Sequence, residues 1–172
     1  MAPFLSLRAI EQVKTGPAIN NLPVILISVG YGLGYADAGP THYCTEDLAC
    51  LCSIPKMSVY SPSDGQSTKV LAYNLIKSPS PTYVRLDRQK SDTENQCSVD
   101  DIKKGYRVFL GIGENKKAIV CCGSTVGLAH KFRKEIDSNV AVIELLRQKP
   151  FPTEIIDTVK LFEKILIIDE HV

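Results

Sequence analysis

Residues 39–67, GPTHYCTEDLACLCSIPKMSVYSPSDGQS, together with residues 82–89, TYVRLDRQ, decide the fold. In the first stretch, Ser63 and Gln66 have the spacing of a capping box, which predicts a helix that continues to about Lys77. The second stretch opens with TYVRL, whose β-branched and aromatic residues are typical of a strand, and MSVY ahead of the predicted helix has the same character. Strand, helix and strand in this order predict a right-handed crossover and an α/β fold with a mostly parallel sheet.

The residues on the N-terminal side extend the same pattern. FLSLRAIEQV at 4–13 has apolar side chains at helical spacing, and PVILISV at 23–29 predicts a buried central strand. Thr45 followed by Glu46 and Asp47 is typical of a helix start, because a hydroxyl can cap the first turn and carboxylates complement the helix dipole. These residues predict two further helices, one of which leads into the central strand of the first sheet.

A polar stretch, QKSDTENQCSVDD at 89–101, separates the two apolar halves of the chain. Its composition is typical of a linker or a long surface loop. Beyond it, strands are predicted at 105–110, 117–122, 140–146 and 164–169, and helices at about 125–137 and 153–162. The sequence therefore predicts two three-layer α/β/α segments with mostly parallel sheets, at 1–88 and 102–172.

The charge balance and the cysteine content narrow the function classes. The 172 residues include 20 Lys and Arg against 19 Asp and Glu, a net charge of +1, which gives no overall field toward nucleic acid or an anionic membrane. No apolar run is long enough to cross a membrane, and Arg8 comes too early for a signal-peptide core, so we expect a cytoplasmic protein. The six cysteines form no CxxC pair. A helix at Cys50 and Cys52 would keep them from sharing a zinc ion with His42 and Cys44.

The segment GYGLGYADAGPTH at 30–42 is the strongest candidate for chemistry. It follows a predicted strand, contains four glycines and ends in His42 just ahead of a predicted helix. Glycine lets the backbone approach a ligand, and a histidine beside a helix N-terminus can donate a hydrogen bond or transfer a proton near neutral pH. The alternative is a surface loop whose histidine is merely solvated. The Gly30-x-Gly32-x-Gly34 spacing is a weak nucleotide signal, because no helix follows it at once.

Arg85 and Arg88 lie at the carboxyl end of the predicted strand TYVRL. The forked donors of arginine suit an anionic ligand such as a sugar phosphate. The alternative is an exposed ion pair, for instance with Asp87 or Asp92, which is the commoner outcome for surface arginines. The charges in KFRKEID and KKGYR are typical of solvated surface, and they predict no function.

The order of the motifs across the chain resembles the pyrimidine-binding region of transketolases. GPTH, EDLA, IPKM, PSD and VRLDR occur here in the order and spacing of that family. CGSTVGLA, VIELLRQKPFP and the closing IIDEH resemble the start of the family's C-terminal domain, so the resemblance covers nearly the whole chain. The glycine-rich loop is more similar to that of the small subunits of split, two-chain transketolases than to that of the long single-chain enzymes.

This resemblance implies a reaction and a cofactor. Transketolases use thiamine diphosphate and a divalent metal, usually Mg2+, to move a two-carbon ketol unit from a ketose phosphate to an aldose phosphate. By its position relative to the family's motifs, Phe4 would lie against the aminopyrimidine ring of the cofactor. His42 would face the reacting carbons as a hydrogen-bond donor and proton carrier.

The same resemblance implies how a sugar phosphate would be held. Arg88 would bind the substrate phosphate, and Arg85 would be structural. Gly39 and Thr41 would shape the loop against the substrate. Long single-chain transketolases have an aspartate immediately before this glycine that helps to select substrate hydroxyls, whereas this chain has Ala38. The preference among sugars is therefore left open.

The resemblance also implies that other parts of the site lie outside this sequence. The family's cofactor-activating glutamate precedes the region of Phe4, and Glu11 and Glu46 do not match its motif. The diphosphate and metal motif of the family begins Gly-Asp-Gly, whereas Asp64-Gly65 lacks the first glycine. We therefore expect no metal ligand in this chain, two incomplete sheets, and a cofactor and Mg2+ site shared with another chain or region.

Three hypotheses about function follow. In the first, the chain acts with a transketolase large subunit or as a homo-oligomer, binds sugar phosphates, and is inactive alone. In the second, it is like the 1-deoxyxylulose-5-phosphate synthases, which carry a similar Gly-Pro-Thr-His and would use pyruvate with glyceraldehyde phosphate. In the third, it is a non-catalytic interaction or regulatory module, because the expected glutamate and metal motif are missing. Exposed apolar sheet edges would favour association in each case.

Overall fold

The computed structural model describes residues 1–77, 79–88 and 95–171. The strands are β1 (Ile25–Val29), β2 (Ser58–Tyr60), β3 (Thr82–Leu86), β4 (Tyr106–Phe109), β5 (Lys117–Cys121), β6 (Val140–Leu145), β7 (Arg147–Lys149) and β8 (Lys164–Ile168). They form two four-stranded sheets, in the orders β1-β3-β2-β7 and β4-β6-β5-β8. Within the described residues the antiparallel pairs are β2 with β7 and β4 with β6. The predicted α/β class with two mostly parallel sheets is confirmed.

Helices flank these strands, and all of them except α4 overlap helices that the sequence pattern predicts. The α-helices are α1 (Ile10–Val13), α2 (Asp47–Ser53), α3 (Gly65–Lys77), α4 (Val99–Lys104), α5 (Thr125–Glu135) and α6 (Ile155–Val159). π-Helical turns at Phe4–Arg8 and Lys14–Ala18 flank α1, and such turns are frequent at functional sites. A 3₁₀ turn at Ala36–Ala38 lies inside the glycine-rich loop. Over the described part of the chain, none of the helices is long and apolar enough to span a membrane.

β5, an inner strand of the second sheet, is covered by apolar side chains on both faces. Ile119 and Cys121 of β5 pack in the core that includes α5, whereas Ala118 and its neighbour Val120 pack in the core that includes Ile155 of α6. Side chains of a strand alternate between the two faces, so each face of β5 is apolar. A strand that is covered on both faces has a continuous apolar sequence, so apolar and polar residues do not alternate along it.

β1 lies at the edge of the first sheet, where β3 is its partner among the described residues. The prediction of a central strand is therefore wrong. Ile27 is 58% exposed and Val29 is 37% exposed, whereas Tyr83 and Val84 of β3 are buried. At the edge of the second sheet, Ile167 of β8 is 72% exposed. An apolar run indicates a strand, but it does not identify which strand lies in the middle of the sheet.

The capping box of α3 lies one residue later than predicted. The N–H of Ser67 donates to Oδ1 of Asp64 at 2.7 Å, and the N–H of Asp64 donates to Oγ of Ser67 at 3.2 Å. The predicted pair was Ser63 and Gln66. Arg107 approaches the other oxygen of Asp64 at 3.3 Å and holds this carboxylate in place. The residue that caps the helix is therefore also one partner of a long-range ion pair.

Residues 99–101, which the sequence pattern places in the linker, form the first turn of α4. The N–H of Ser98 donates to Oδ2 of Asp101 at 2.8 Å, and the N–H of Asp101 donates to Oγ of Ser98 at 3.1 Å. Gly105, at φ +89°, ends the helix. The polar composition that predicted a loop belongs in part to a short capped helix. Residues 89–94 of the predicted linker lie outside the described residues.

The two halves of the chain share a sheet and a core at this boundary. β7 comes from the second half and pairs antiparallel with β2 of the first sheet. Ile102 of α4 and Leu146 pack in one cluster with Tyr60 and Leu71. The predicted domain limits stay a prediction, and the structure adds that the second half of the chain completes the first sheet.

Candidate active site

The rings of Phe4 and His42 contact each other edge to face, with centroids 5.6 Å apart and ring planes at 71°. Phe4 lies in the N-terminal π-helical turn and His42 lies in the loop before α2, and both residues are half-buried. The guanidinium of Arg8 lies 4.3 Å from the centroid of the Phe4 ring. The fold therefore brings the predicted aromatic residue and the predicted histidine into one partly open site, where a histidine can exchange a proton with a bound molecule.

Thr41 contacts the imidazole of His42 directly. Its hydroxyl oxygen lies 2.8 Å from Nδ1 of the ring. A hydrogen bond at one ring nitrogen fixes the orientation of the ring. Across the described ranges, Nε2 of His42 has no hydrogen-bond partner, so Nε2 is the nitrogen that can serve a ligand.

Gly39 sets the turn that leads into His42. Its φ is +83°, and its carbonyl accepts hydrogen bonds from the N–H groups of His42 at 2.9 Å and Tyr43 at 3.3 Å. A Cβ at this position would meet no heavy atom within 4 Å. The positive φ, rather than a lack of space, therefore favours glycine here.

The glycines at the start of the loop serve packing inside the protein. A Cβ on Gly30 would overlap the ring of Tyr35, and a Cβ on Gly32 would overlap the carboxylate of Glu170. Both glycines have positive φ, +75° and +55°. The sequence predicted that these glycines bring the backbone close to a ligand. In the structure the close approach at these two positions is to side chains of the same chain.

Arg88 lies against the glycine-rich loop and has a half-exposed guanidinium. This group is 4.6 Å from the centroid of the Tyr35 ring, and its Nη1 is 3.5 Å from Oδ1 of Asp37. It also donates to the carbonyl of Gly34 at 3.4 Å. The side chain is 47% exposed, so an anion in solvent can reach it. The ion pair to Asp37 is an exposed one, as in the alternative that the sequence left open for this arginine, and Asp92 lies outside the described residues.

Arg85, in contrast, is buried, with a side chain only 1% exposed. Its Nη1 lies 3.2 Å from Oδ1 of Asp47, and its Nη2 lies 3.5 Å from Sγ of Cys122. Its Nε donates to the hydroxyl of Ser61. This environment excludes the exposed ion pair that was the alternative for Arg85, and it leaves no path for a substrate phosphate.

Asp47 is the opposite charge in this buried site, and its side chain is 0% exposed. Its Oδ2 accepts a hydrogen bond from the hydroxyl of Tyr83 at 2.7 Å. Burial raises the pKa of Asp47, but a hydrogen bond from His171 and the charge of Arg85 outweigh it and hold the pKa below its ordinary value. Residue Glu46, at the cap position of α2, makes no side-chain capping bond. The N–H of Leu48 donates to Oδ1 of Asp47 at 2.9 Å, so the acidic helix start predicted from the sequence serves both the first turn of α2 and the buried charge network.

His171 was not singled out from the sequence, yet it belongs to the same network. Its Nε2 lies 3.2 Å from Oδ1 of Asp47, and its Nδ1 contacts the carboxylate of Asp169. Its ring stacks on Tyr31 with centroids 6.3 Å apart. Burial lowers the pKa of His171, but the two carboxylates outweigh burial and raise the pKa above its ordinary value. The only sequence signal was a histidine among acids just after a strand.

A second buried ion network was also missed. Arg107 belongs to KKGYR, which was predicted to be solvated surface, but it is 4% exposed. Its Nε donates to Oε2 of Glu144 at 2.7 Å, and its Nη2 is 3.3 Å from Oδ2 of Asp64. β4 and β6 pair antiparallel with Arg107 directly opposite Glu144. Such a cross-strand pair depends on strand register, which the composition of KKGYR does not contain.

Comparison with known proteins agrees with the order of the motifs. Residues 1–93 match the family described as transketolase, pyrimidine binding domain. An apulose-4-phosphate transketolase subunit of Phocaeicola vulgatus is 27% identical over 181 residues, which cover 99% of this chain and 55% of that protein. The 1-deoxy-D-xylulose-5-phosphate synthase of Chromobacterium violaceum is 32% identical over 169 residues, which cover 96% of this chain and 26% of that enzyme.

A solved structure has the same fold over almost the whole chain. It is described as a split gene transketolase, inactive beta4 tetramer, and it matches with a TM-score of 0.79 at 22% identity over 99% of this chain and 56% of that chain. This chain thus spans about half the length of these two relatives. The family match extends over more than half of the 172 residues and contains the Phe4–His42 pair. The chain therefore belongs to the transketolase family.

Proposed function

We propose that this chain supplies the pyrimidine side of a thiamine diphosphate site in a transketolase assembly, which transfers a two-carbon ketol unit between sugar phosphates. The observation that carries this proposal is the edge-to-face contact of Phe4 and His42, whose centroids are 5.6 Å apart. Both residues lie in the part of the chain that matches the pyrimidine binding domain. An aromatic surface and a proton-carrying histidine in one half-buried site suit the binding of a flat heterocycle next to reacting carbons.

The residues present fit the pyrimidine part of this cofactor. Phe4 is half-buried, so part of its ring surface is open to contact with a heterocycle. When bound, thiamine diphosphate supplies the carbanion chemistry of ketol transfer. Phe4 would hold the aminopyrimidine ring. His42 would donate a hydrogen bond or carry a proton at Nε2, and Thr41 would keep its ring in place through Nδ1.

Arg88 is the proposed ligand of the substrate phosphate. Its guanidinium is half-exposed and stands on the ring of Tyr35, which limits its freedom of movement. A planar fork of donors held in this way suits bidentate binding of a phosphate. Gly39 and Thr41 would shape the loop between this arginine and the histidine.

The diphosphate and its Mg2+ are proposed to bind to another chain or region. Over 1–77, 79–88 and 95–171, no group of three or more His, Cys, Asp or Glu side chains is placed to hold a metal ion. The division of the cofactor between two chains follows from the resemblance to split transketolases.

The partner we propose is a transketolase large subunit, with a second copy of this chain as the alternative. The matched relative from Phocaeicola vulgatus is named as one subunit of its enzyme, and the matched structure of a split transketolase is described as an inactive beta4 tetramer. Ile27 at the edge of the first sheet and Ile167 at the edge of the second are 58% and 72% exposed. Exposed apolar sheet edges favour association. We therefore propose that the chain alone is inactive.

A second candidate activity is that of a 1-deoxyxylulose-5-phosphate synthase. The identity of 32% over 96% of this chain to such an enzyme favours it. The two reactions differ in their donors, because one takes a ketose phosphate and the other takes pyruvate with glyceraldehyde phosphate. Supplying each donor set to the same assembly separates them.

The deciding experiment is a calorimetric titration of thiamine diphosphate with Mg2+ into this chain alone and into its mixture with a large subunit from the same source. Binding in the mixture and not by the chain alone is the expected result. The two donor sets are then compared by their rates of product formation. If a verified complex binds no cofactor, the proposal fails and the non-catalytic module takes its place.

The role of His42 is tested in the same mixture with His42→Ala. The rate of ketol transfer should fall by about 100-fold or more, because a positioned acid or base contributes ~10²–10⁴-fold to a reaction. Lys69→Ala, which removes an exposed charge on α3, is the control and should keep the wild-type rate. Undiminished transfer by His42→Ala would remove this residue from the reaction.

A further inference from the structure

We propose that Tyr31 is a positioning residue, which couples the second sheet to the Phe4–His42 pair and so sets the geometry of the site. Tyr31 follows β1 and is 2% exposed. The coupling is a property of the isolated chain and can be measured there. Its consequence for the rate rests on the proposed function.

On one side, Tyr31 is held by the second half of the chain. The N–H of Ser124 donates to the hydroxyl of Tyr31 at 2.6 Å, immediately before α5 begins. Gly123 has φ +54°, and a Cβ there would overlap the Tyr31 hydroxyl. Burial raises the pKa of Tyr31 to about 12, so the hydroxyl is neutral over the physiological range. The phenol is thus inserted into a gap that only a glycine leaves open.

The ring of Tyr31 is fixed by the buried charge network. The guanidinium of Arg85 lies 3.9 Å from the ring centroid, and the ring of His171 stacks on it at an angle of 25°. Both of these groups contact Asp47. A cation over an aromatic face is stabilising, and more so in a buried setting. The ring therefore has a defined position that depends on residues from both halves of the chain.

From this position, Tyr31 reaches the segment that carries His42. The residue after it, Gly32, donates from its N–H to the carbonyl of Cys44 at 2.7 Å, and the N–H of Cys44 donates back to the carbonyl of Gly32 at 2.9 Å. Cys44 is 0% exposed and packs in the same small cluster as Tyr31. Because Cys44 closely follows His42 in the chain, a shift of Tyr31 displaces the histidine.

Tyr31 also reaches the segment that carries Phe4. Ala2 belongs to the same buried cluster, and Leu7 packs against it. Ser6 joins the two segments, since its hydroxyl donates to the carbonyl of Ala2 at 2.7 Å and lies 3.4 Å from the sulfur of Cys44. One buried tyrosine therefore contacts both segments of the site and is held in place by the second sheet.

Tyr31→Phe removes the hydroxyl alone and keeps the ring, so the fold is retained. The first readout is nuclear magnetic resonance of the histidine side chains in the isolated chain, which has three histidines. The ring signals of His42 should shift in Tyr31→Phe. Tyr106→Phe is the matched control, because Tyr106 is also 2% exposed and its hydroxyl lies 2.8 Å from Oγ1 of Thr158. The control should leave the His42 signals unchanged although it loses a comparable hydrogen bond.

The second readout is kinetic, in the assembly with a large subunit. Tyr31→Phe should lower kcat about tenfold with a smaller change in KM, because misplaced catalytic groups affect the reaction more than substrate binding. Tyr106→Phe should leave both constants near their wild-type values. Unshifted His42 signals together with an unchanged kcat in Tyr31→Phe would overturn the inference while the proposed function stands. Shifted His42 signals in an assembly without ketol transfer would overturn the proposed function and retain the coupling.

Discussion

Replacing Asp47 by asparagine tests the buried charge pair that Asp47 forms with Arg85 in the first half of the chain. Asp47 and Arg85 are 0% and 1% exposed, and their charged groups are 3.2 Å apart. Asp47→Asn keeps the shape of the side chain and removes its charge, so the guanidinium loses the counter-charge that it contacts directly. Removing one partner of a buried ion pair costs about 3–5 kcal/mol, against a total stability of about 5–15 kcal/mol for a domain.

The remaining contacts of Arg85 place the expected loss at the lower end of this range. Its guanidinium keeps the ring of Tyr31 at 3.9 Å and the hydroxyl of Ser61. The amide oxygen of the new asparagine can still accept the hydrogen bond from Tyr83, which is 2.7 Å long in the wild type. We therefore expect a loss of about 3 kcal/mol. With a urea dependence of about 1–3 kcal/mol per M, the unfolding midpoint should fall by about 1–3 M.

Urea unfolding followed by circular dichroism measures this loss and separates it from simple packing defects. The double variant Asp47→Asn with Arg85→Met should recover most of the stability, because it leaves neither charge buried alone. Asp157→Asn is the control. It breaks a 3.0 Å ion pair with Lys160 whose side chains are 84% and 69% exposed, and it should cost less than about 1 kcal/mol. A loss below about 1 kcal/mol in Asp47→Asn, or a double variant no more stable than the single one, would refute the reasoning.

The loss of stability caused by Asp47→Asn should also depend on pH. The pKa of Asp47 is lower in the folded protein than its ordinary value. The stabilisation from its charge is therefore present above the ordinary pKa and is lost as the pH falls through the lowered one. The difference in the free energy of unfolding between wild type and Asp47→Asn should shrink on acidification over that interval.

Two further variants, with a third as a control, test the contacts around this network. Because the pKa of His171 is raised, the stabilisation from its charge is fully present below about pH 6.5 and is lost as the pH rises through the raised value. His171→Gln should therefore flatten that part of the curve of unfolding free energy against pH, measured by urea titration. An unchanged curve would contradict this. Gly123→Ala should lower the stability by at least about 1–2 kcal/mol, because φ is +54° and the Tyr31 hydroxyl fills the space. Gly127 lies within α5, and a Cβ added there meets open space, so Gly127→Ala should raise the stability by about 0.5–1 kcal/mol. Calorimetry measures both variants. A change in stability of the same sign in both would contradict the packing described.

Most of the secondary structure, though not α4, could be predicted because its signals are local. The helix of residues 65–77 and the strand TYVRL follow from spacing and residue type within short windows, and both are present. The edge position of β1 and the pairing of Arg107 with Glu144 could not be predicted in this way. Each depends on which strand pairs with which and in what register, and that is decided by contacts between distant parts of the chain.

The candidate site was predictable only in part for the same reason. The loop of residues 30–42 was singled out by its glycines and its histidine, but nothing local connects it with Phe4. The proximity of Phe4 and His42 depends on the packing of the N-terminal segment against Cys44 and Tyr31. The resemblance to transketolases identified both residues, whereas the local sequence pattern identified only His42. Tyr31 carried no sequence signal apart from its place among glycines.

The two arginines of VRLDR show which rule would have improved the prediction. β3 lies between β1 and β2, and its residues 82–85 are all buried. A central parallel strand is covered on both faces, so a charge inside it is buried whichever way it points and needs a counter-charge. Arg85 is inside the strand and has Asp47, from the acidic start of α2. Arg88 follows the strand end, where parallel sheets bind ligands, and its guanidinium stays open to an anion. Position relative to the strand end therefore separates the structural arginine from the one available to a phosphate.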